Sequence, residues 1–410
     1  MILRDYQIEA VKQGSEILAI RKILIVNFEV RLGKTFIALE LAKNYNNVLF
    51  ITKKKAISSI EKDYATAGHS YPITIVNYES LHKINGYFDL VIADESHGLG
   101  AIGKPTLKTK RTREKVKNDL ILLTGTLLPE NNAQLYHQLW ISQYSPFKKY
   151  VNFYKWHHQF GTKKIKYTSY GVSNDYSVVD YDKLEPFIRP IMITKTQKQG
   201  GFNTVINEKI LTVNMQPRTY EIAEKLKKDL VIESRGEVIM GETGVKMMQK
   251  LHQIYSGSVI LESGKAIILD FSKTAFIKEY FKDKKIAIFY KFKAELENLS
   301  SSFDITQDIE EFNNTDKNIA LQIVSGREGI NLSKAEAIVY FNIDFSATSY
   351  WQSRSRMDTI DRKESNIYWI FSSGGIEQNI YRTVLKKKSY TLQTFRRDCK
   401  TNSSLFSVGG

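Results

Sequence analysis

The sequence predicts an α/β protein with two parallel-sheet lobes in tandem and an irregular, partly helical insertion between them. Short β-branched apolar runs alternate with helical patterns up to about residue 144, and the alternation is clear again from about residue 286. Such alternation is typical of βαβ units, whose parallel sheets are covered by helices on both faces. We therefore expect a first domain at 1–145, the insertion and connection at 146–200, a second domain at 201–400 and a tail at 401–410.

The individual elements follow from the same runs. Strands of the first lobe are predicted at Ile23–Val26, Val48–Thr52, Ile73–Val76, Leu90–Ala93 and Leu120–Leu123. Helices are predicted from about Thr35 to Asn44 and from about Ala56 onward. Strands of the second lobe are predicted at Ile286–Tyr290, Ala320–Val324, Ala337–Phe341 and Ile367–Phe371. The segments from Lys104 to Lys117 and from Gly236 to Gly244 are expected to be loops.

Composition limits the function classes. The 410 residues include 59 Lys plus Arg against 44 Asp plus Glu, a net charge of +15, which favours a polyanionic partner such as nucleic acid. The single cysteine, Cys399, excludes an intrachain disulfide and a cysteine-based zinc site, so no structural metal is expected. No apolar run approaches the roughly 18–20 residues of a membrane span. We expect an intracellular protein that does not enter membranes.

A candidate phosphate site follows the first long strand. Gly33, Lys34 and Thr35 open the next predicted helix, where backbone N–H groups and the helix N-terminus can face a phosphate. Lys34 would neutralise the β- and γ-phosphate oxygens, and the Thr35 hydroxyl would bind Mg²⁺. Phe28 stands where the full pattern has a glycine six positions before the lysine, so this triplet alone does not decide the matter.

Two carboxylates follow another apolar strand. Asp94 and Glu95 come directly after Leu90–Ala93. A nucleotide motor needs one carboxylate to hold Mg²⁺ and another to orient or deprotonate the attacking water. We assign the first role to Asp94 and the second to Glu95. The alternative is an ordinary acidic loop, which the phosphate motif upstream disfavours.

With these motifs the chain resembles superfamily 2 helicases, specifically the Swi/Snf-type ATPases and their small phage relatives. Asp94-Glu95-Ser96-His97 is similar to the DExH box, and Gly33-Lys34-Thr35, with Arg31 before it, is similar to motif I. The resemblance implies two RecA-like lobes that use ATP and Mg²⁺. It implies that Tyr6 and Gln7 contact adenine. It also implies that His97, Thr124, Gly125 and Thr126 couple the ATP site to nucleic acid.

The resemblance continues in the second lobe. Ile288–Phe292 resembles motif IV, Ser325–Leu332 resembles motif V, and Tyr350–Arg356 resembles motif VI. It implies nucleotide contacts from Gly329 and Gln352 and nucleic-acid contacts from Ser325 and Arg327. Motif VI implies a catalytic arginine finger. Because Thr359 occupies the place of the usual second arginine, Arg356 is the first candidate, then Arg354, then Arg362.

Two segments are candidates for binding nucleic acid. Lys104–Lys117 contains seven basic residues and one acidic residue, and Phe147–Tyr167 interleaves lysines with aromatic residues. Lysine and arginine can neutralise phosphates, whereas aromatic side chains can stack on bases. Phe153, Trp156, His157 and Phe160 share one helical face, which favours a core role for these four. The candidate phosphate contacts are Lys53, Lys108, Lys110, Arg111, Arg113, Lys148, Lys149, Lys163 and Lys164.

The combined hypothesis is an ATP-dependent DNA helicase or translocase that remodels branched or forked duplex DNA in phage recombination, repair or replication. We expect a monomer that acts in the cytoplasm of a bacterial host. One alternative is a conventional helicase that tracks along single-stranded DNA or RNA. Another is a nucleic-acid-binding clamp with a degenerate ATP site. A third is the motor subunit of a restriction or packaging machine.

Overall fold

The structure is a computed structural model, and it divides the chain into two units. It describes residues 3–125, 131–168, 171–234, 236–323, 330, 332–346, 349, 350, 353, 362–386 and 394. The first unit is Met1–Phe202 and the second is Asn203–Gly410. None of the described helices is both long and apolar enough to cross a bilayer.

The first unit is built from alternating strands and helices. Its strands are β1 (Ile23–Phe28), β2 (Val48–Thr52), β3 (Ile73–Asn77), β4 (Leu90–Ala93), β5 (Asp119–Thr124), β6 (Lys164–Thr168), β7 (Gly171–Asp175) and β8 (Met192–Lys195). Its helices are α1 (Asp5–Arg21), α2 (Lys34–Leu41), α3 (Ile57–Thr66), α4 (Leu107–Lys115), α5 (Leu135–Trp140), α6 (Phe153–Phe160) and α7 (Tyr181–Ile188).

Six of these strands form one parallel sheet in the order β3-β2-β4-β5-β1-β8. All residues of β2, β4 and β5 are buried, as expected for strands covered by helices on both faces. This double burial explains why the strands read as continuous apolar runs. The predicted positions of these strands are confirmed to within one or two residues.

The stretch from 146 to 200 contains α6, a two-stranded antiparallel ribbon of β6 and β7, α7 and β8. The predicted apolar face of α6 is confirmed, because Phe153, Trp156, His157 and Phe160 are all buried. Strand β8 pairs with β1 and so adds the sixth strand to the first sheet. This stretch therefore belongs to the first unit.

The second unit repeats the architecture. Its strands are β9 (Val205–Val213), β10 (Val231–Ser234), β11 (Glu237–Met240), β12 (Ser258–Ile260), β13 (Ala266–Ile268), β14 (Ile286–Tyr290), β15 (Ile305–Thr306), β16 (Asn318–Gln322), β17 (Ala337–Tyr340) and β18 (Glu364–Ser372). Its helices are α8 (Pro217–Asp229), α9 (Gly244–Tyr255), α10 (Ser272–Tyr280), α11 (Lys293–Ser300), α12 (Ile309–Asn314) and α13 (Glu377–Leu385). A six-stranded parallel sheet has the order β15-β16-β14-β17-β18-β9. The predicted fold class, α/β with two parallel-sheet lobes, is confirmed.

Two predictions of loops are wrong. The segment from Lys104 to Lys117 contains α4, whose N-terminus is capped by the Thr106 hydroxyl, which accepts a hydrogen bond from the Thr109 N–H at 3.2 Å. The segment from Gly236 to Gly244 contains β11, which pairs antiparallel with β10. Both elements bury few side chains, so their hydrophobic periodicity in the sequence is weak.

A buried ion pair fixes the start of α13. The Lys273 ammonium lies 2.8 Å from a Glu377 carboxylate oxygen, and the two side chains are 1% and 0% exposed. The same carboxylate oxygen accepts a hydrogen bond from the Ser372 hydroxyl at 3.1 Å. Removing one partner would leave the other charge buried and unpaired.

We expect Glu377→Ala to lower the free energy of unfolding by about 3–5 kcal/mol. The exposed pair Lys227–Glu224, at 2.6 Å, supplies the control: Glu224→Ala should cost no more than about 1 kcal/mol. Urea denaturation measures both changes. A double variant, Lys273→Met with Glu377→Gln, should recover part of the loss, and equal costs for the buried and exposed pairs would contradict this account.

Candidate nucleotide site and basic surface

The loop between β1 and α2 folds around the Lys34 side chain. Its ammonium donates hydrogen bonds to the backbone carbonyls of Phe28 at 2.8 Å and Glu29 at 3.2 Å. Gly33, directly before α2, has a φ of 72°, which glycine adopts without steric cost. Phe28 fits at the position usually held by glycine because its side chain is only 2% exposed and belongs to the core. Phe28 therefore does not disturb the loop around Lys34, and phosphate binding by this loop stays a prediction.

The N-terminal element contacts this loop. Gln7 is buried; its Oε1 accepts a hydrogen bond from the Arg4 N–H at 2.9 Å, and its Nε2 donates to the Leu32 carbonyl at 3.2 Å. The Tyr6 hydroxyl donates to the same carbonyl at 3.3 Å. A Cβ at Gly33 would lie 2.3 Å from Gln7 Nε2, so a larger residue there would push Gln7 away. The contacts of Tyr6 and Gln7 with adenine remain a prediction.

Asp94 lies at the carboxyl end of β4. One of its oxygens accepts a hydrogen bond from the Thr52 hydroxyl at 2.9 Å, and the other accepts from the Glu95 N–H at 2.9 Å. Burial and the neighbouring Glu95 carboxylate raise the pKa of Asp94 to about 6, whereas the hydrogen bond from Thr52 and the Lys34 ammonium lower it. The effect of Lys34 shows that the predicted phosphate-binding and metal-binding groups share one electrostatic environment.

Two residues of the site have left-handed backbone conformations. Glu95 has a φ of 48° and Arg31 has a φ of 66°. Each such conformation costs roughly 1–2 kcal/mol for a residue with a side chain. Strain of this kind is concentrated at functional sites, where the surrounding structure enforces it. Lys22, Leu230 and Asp283 also have a positive φ and are not members of the predicted site, so this strain does not by itself mark the site.

His97 connects Glu95 to the end of β5. Its Nδ1 lies 3.2 Å from a Glu95 carboxylate oxygen and 3.4 Å from the Thr124 hydroxyl. A Cβ at Gly125 would lie 3.5 Å from the Lys34 ammonium. The predicted coupling residues His97, Thr124 and Gly125 therefore lie together with the catalytic candidates. Thr126 lies outside the described residues.

Most candidates of the second unit also lie outside the described residues. They are Arg354, Arg356, Gln352, Gly329, Ser325 and Arg327. Arg362 is described, and its guanidinium donates to the backbone carbonyls of Glu364 at 2.9 Å, Ser333 at 3.0 Å and Ala335 at 2.8 Å. These three bonds give Arg362 a structural role at the ends of two strands, which weakens it as a candidate finger.

The candidate phosphate contacts of the first unit differ in exposure. Lys110, Arg113, Lys148, Lys149, Lys163 and Lys164 are exposed, whereas Lys53, Lys108 and Arg111 are half-buried. Arg113 lies 3.7 Å above the Trp140 ring, which fixes its guanidinium at the surface of α4. Thr109 of α4 donates from its hydroxyl to the Leu99 carbonyl at 2.9 Å, which ties this basic helix to the turn that follows Asp94 and Glu95.

Sequence reasoning missed Tyr78 and Thr52. The Tyr78 hydroxyl donates to the Asp94 carbonyl at 2.6 Å, and the Lys108 ammonium lies 5.0 Å from the centre of the Tyr78 ring. Tyr78 therefore lies between the carboxylate site and the basic helix α4. Their positions in the sequence could have indicated them. Thr52 ends β2 and Tyr78 follows β3, so both lie at the edge of the sheet where Asp94 lies.

Searches with the sequence find no matching family model and no matching curated protein. Among solved structures, the chain is similar to the SWI2/SNF2 ATPase core of Sulfolobus solfataricus in complex with dsDNA, with a TM-score of 0.44, 16% identity and coverage of 94% of this chain and 91% of that chain. It is also similar to the SWI2/SNF2 ATPase core domain of the same organism, with a TM-score of 0.44, 17% identity and coverage of 94% and 89%. At this level of similarity neither structure assigns a function to the chain.

We expect Tyr78→Phe to retain basal ATP hydrolysis within about twofold and to reduce its stimulation by DNA about fivefold, since one buried hydrogen bond contributes about 1 kcal/mol. The readout is the initial rate of phosphate release with and without DNA. Tyr64→Phe is the matched control, because Tyr64 donates to the Tyr71 carbonyl in another part of the same unit. Full stimulation in Tyr78→Phe would exclude this contact from coupling.

The raised pKa of Asp94 has a stability consequence. Between its ordinary value of 3.8 and about 6, the folded protein binds more protons at Asp94 than the unfolded chain does. The stabilising contribution is therefore present below 3.8 and is lost as the pH rises to about 6. At pH 7.5, the buried carboxylate lowers stability by up to about 3 kcal/mol.

We accordingly expect Asp94→Asn to raise the free energy of unfolding at pH 7.5 by up to about 3 kcal/mol, while it abolishes ATP hydrolysis. Asparagine can still accept from the Glu95 N–H and donate to the Thr52 hydroxyl. Asp182→Asn, at an exposed position, is the control and should leave stability unchanged. Denaturation of Asp94→Asn at a lower urea concentration than the wild type would contradict the expected sign.

Proposed function

We propose that the chain is a nucleic-acid-stimulated ATPase that translocates on DNA. One observation carries the proposal: Lys34, Asp94, Glu95, His97 and Thr124 converge at the carboxyl edge of one parallel sheet. Ligands of open α/β sheets bind outside this edge. Each of these groups has a chemical role in phosphoryl transfer, and no second function unites them.

The residues fit an ATP–Mg²⁺ substrate. The Lys34 ammonium would exchange its two backbone carbonyls for β- and γ-phosphate oxygens, and the first N–H groups of α2 would donate to the same phosphates. The Thr35 hydroxyl and Asp94 carboxylate are the hard oxygen donors that Mg²⁺ prefers, and they would hold it. When bound, Mg²⁺ would neutralise charge on the phosphate oxygens.

Hydrolysis needs a water molecule in line with the bond that breaks. Glu95 would orient this water and accept its proton as the water oxygen bonds to the γ-phosphorus and the bond to the ADP oxygen breaks. His97, which contacts Glu95 at 3.2 Å, would hold the carboxylate in position. Arg356, and after it Arg354, remains the candidate for the finger that stabilises the transferring phosphoryl group.

DNA is the proposed partner because basic residues outnumber acidic residues in the chain and many of them are exposed. The surplus of +15 favours a polyanion, and the contacts from Lys110, Arg113 and Lys148 would be to phosphates. Contacts of this kind are sequence-independent and depend strongly on salt. We further propose that the preferred DNA is a branched or forked duplex and that the biological role is remodelling in phage recombination, repair or replication.

The test is ATP hydrolysis with single-stranded DNA, linear duplex, forked duplex, a four-way junction and RNA at one salt concentration. Stimulation by forks and junctions above linear duplex is the expected result. Stimulation by single strands or RNA alone would favour the strand-tracking helicase. Binding without any stimulation would favour the clamp with a degenerate site.

We expect Lys34→Ala to reduce DNA-stimulated ATP hydrolysis by about 100-fold or more, since a positive charge at the transferring phosphate is removed. Lys43→Ala is the control, because Lys43 is an exposed lysine whose ammonium lies 2.5 Å from the Glu40 carboxylate. Lys34→Ala should remain folded and lose about 1–3 kcal/mol of stability, since two backbone carbonyls and the Asp94 carboxylate lose their cationic partner. Equal rates in the wild type and Lys34→Ala would assign the hydrolysis to a contaminant or another site.

A further inference from the structure

The ribbon formed by β6 and β7 projects from the first unit. Its two strands pair only with each other, in a register that places Lys164 opposite Asp175 and Ile165 opposite Asn174. From Gly171 to Asn174 every residue of β7 is exposed. Five residues at about 3.4 Å each give the ribbon a length of about 17 Å. The ribbon therefore adds little to the core of the unit.

One face of the ribbon carries exposed aliphatic side chains. Ile165 is 59% exposed and Val172 is 66% exposed. Residues opposite each other, and residues two apart on one strand, share a face, so Ile165, Asn174 and Val172 lie on the same side. Burying these aliphatic side chains against a partner would remove apolar surface from water and favour binding. These two side chains give the ribbon an apolar face that is open to a partner.

The base of the ribbon is held rigidly. The Thr162 N–H donates to the Val178 carbonyl at 3.0 Å, and the Asn132 side chain donates to the Val179 carbonyl at 2.8 Å. The Tyr176 ring packs edge-on against the His157 ring of α6, with 5.0 Å between the ring centres. A free two-stranded hairpin is only marginally stable in water, so these contacts are what hold the ribbon in place.

The charge around the ribbon identifies the kind of partner. The stretch between Glu130 and Asp175 contains six lysines and no Asp or Glu, and Asp175 itself, the one carboxylate of the ribbon strands, lies opposite Lys164. Lys163 and Lys164 are exposed at the base of the ribbon, and Lys148, Lys149 and Lys155 are exposed around α6. A partner that meets both the lysines and the aliphatic face must combine a dense negative charge with flat apolar surfaces. The backbone and the stacked bases of DNA provide this combination.

We propose that the ribbon is a wedge that enters forked DNA where its two strands part. The inference rests on the function proposed above and names the element that acts on the branch. Lys163 and Lys164 contact the phosphates, and the face with Ile165 and Val172 covers the last stacked base pair. Inserted aliphatic side chains offset the cost of unstacking by replacing the lost contacts. A two-stranded ribbon is narrow enough to fit between the strands, since it also fits a major groove.

The test uses the full chain and a double variant, Ile165→Ser with Val172→Ser. Both residues are exposed, so folding should be unaffected. The matched control is Ile20→Ser with Val245→Ser, since these residues are 76% and 45% exposed and remove one isoleucine and one valine elsewhere. Three readouts are taken: ATP hydrolysis with linear duplex, strand separation of a forked duplex, and 2-aminopurine fluorescence at the fork without ATP. The last readout reports unstacking on binding and needs no catalysis.

The ribbon variant should hydrolyse ATP with linear duplex at the wild-type rate, separate strands about tenfold more slowly, and lose the fluorescence increase at the fork. The control variant should resemble the wild type in all three. Strand separation and fluorescence at wild-type levels in the ribbon variant would overturn the wedge, as would a fluorescence increase confined to forked RNA. If the wild type unstacks the fork but does not hydrolyse ATP with DNA, the proposed function fails and the wedge stands.

Discussion

The buried carboxylate of Asp94 is the interaction on which the site depends. Asp94 connects the ends of three neighbouring strands. The Thr52 hydroxyl at the end of β2 donates to its carboxylate, and the Tyr78 hydroxyl after β3 donates to its backbone carbonyl. Asp94 itself follows β4 and precedes Glu95. The positive charge of Lys34, which follows the loop after β1, offsets part of the negative charge of Asp94. The parallel sheet makes this convergence possible, because it places all its carboxyl ends at one edge.

This arrangement lowers the stability of the fold. A carboxylate with its pKa raised to about 6 and a left-handed Glu95 both oppose folding. They are tolerated because the six-stranded sheet and its helices bury large apolar areas on both faces. Aromatic rings of the first unit support two elements at its surface. Trp140 lies beneath Arg113 of α4, while Phe153 and His157 support Tyr176 at the base of the ribbon.

The sequence was sufficient for the strands of the first sheet, because buried parallel strands have strong local patterns. Lys34, Asp94, Glu95 and His97 were named from the sequence and lie together, while their roles stay predictions. The sequence was insufficient for α4, since its Lys- and Arg-rich residues bury only Thr109 and Thr112 and leave almost no apolar period. It was insufficient for Tyr78, since an aromatic residue after a strand reads as core until its hydroxyl is placed. Phe28 looked like a defect in the phosphate motif because the direction of its side chain is not visible in the sequence.

The edge strands β8 and β9 of the two sheets determine when each sheet can be completed during synthesis. The first sheet needs only β8, which ends at Lys195, for completion. In the second sheet, β9 is synthesised first, but its partner strand β18 is synthesised last. The two strands pair with Val205 opposite Glu364 and Val213 opposite Ser372. At roughly 5–20 residues per second, a ribosome takes about 10–35 s to pass from the end of β8 to the end of β18. During that interval β9 lacks its partner strand β18 and is open to chaperones and to misassembly.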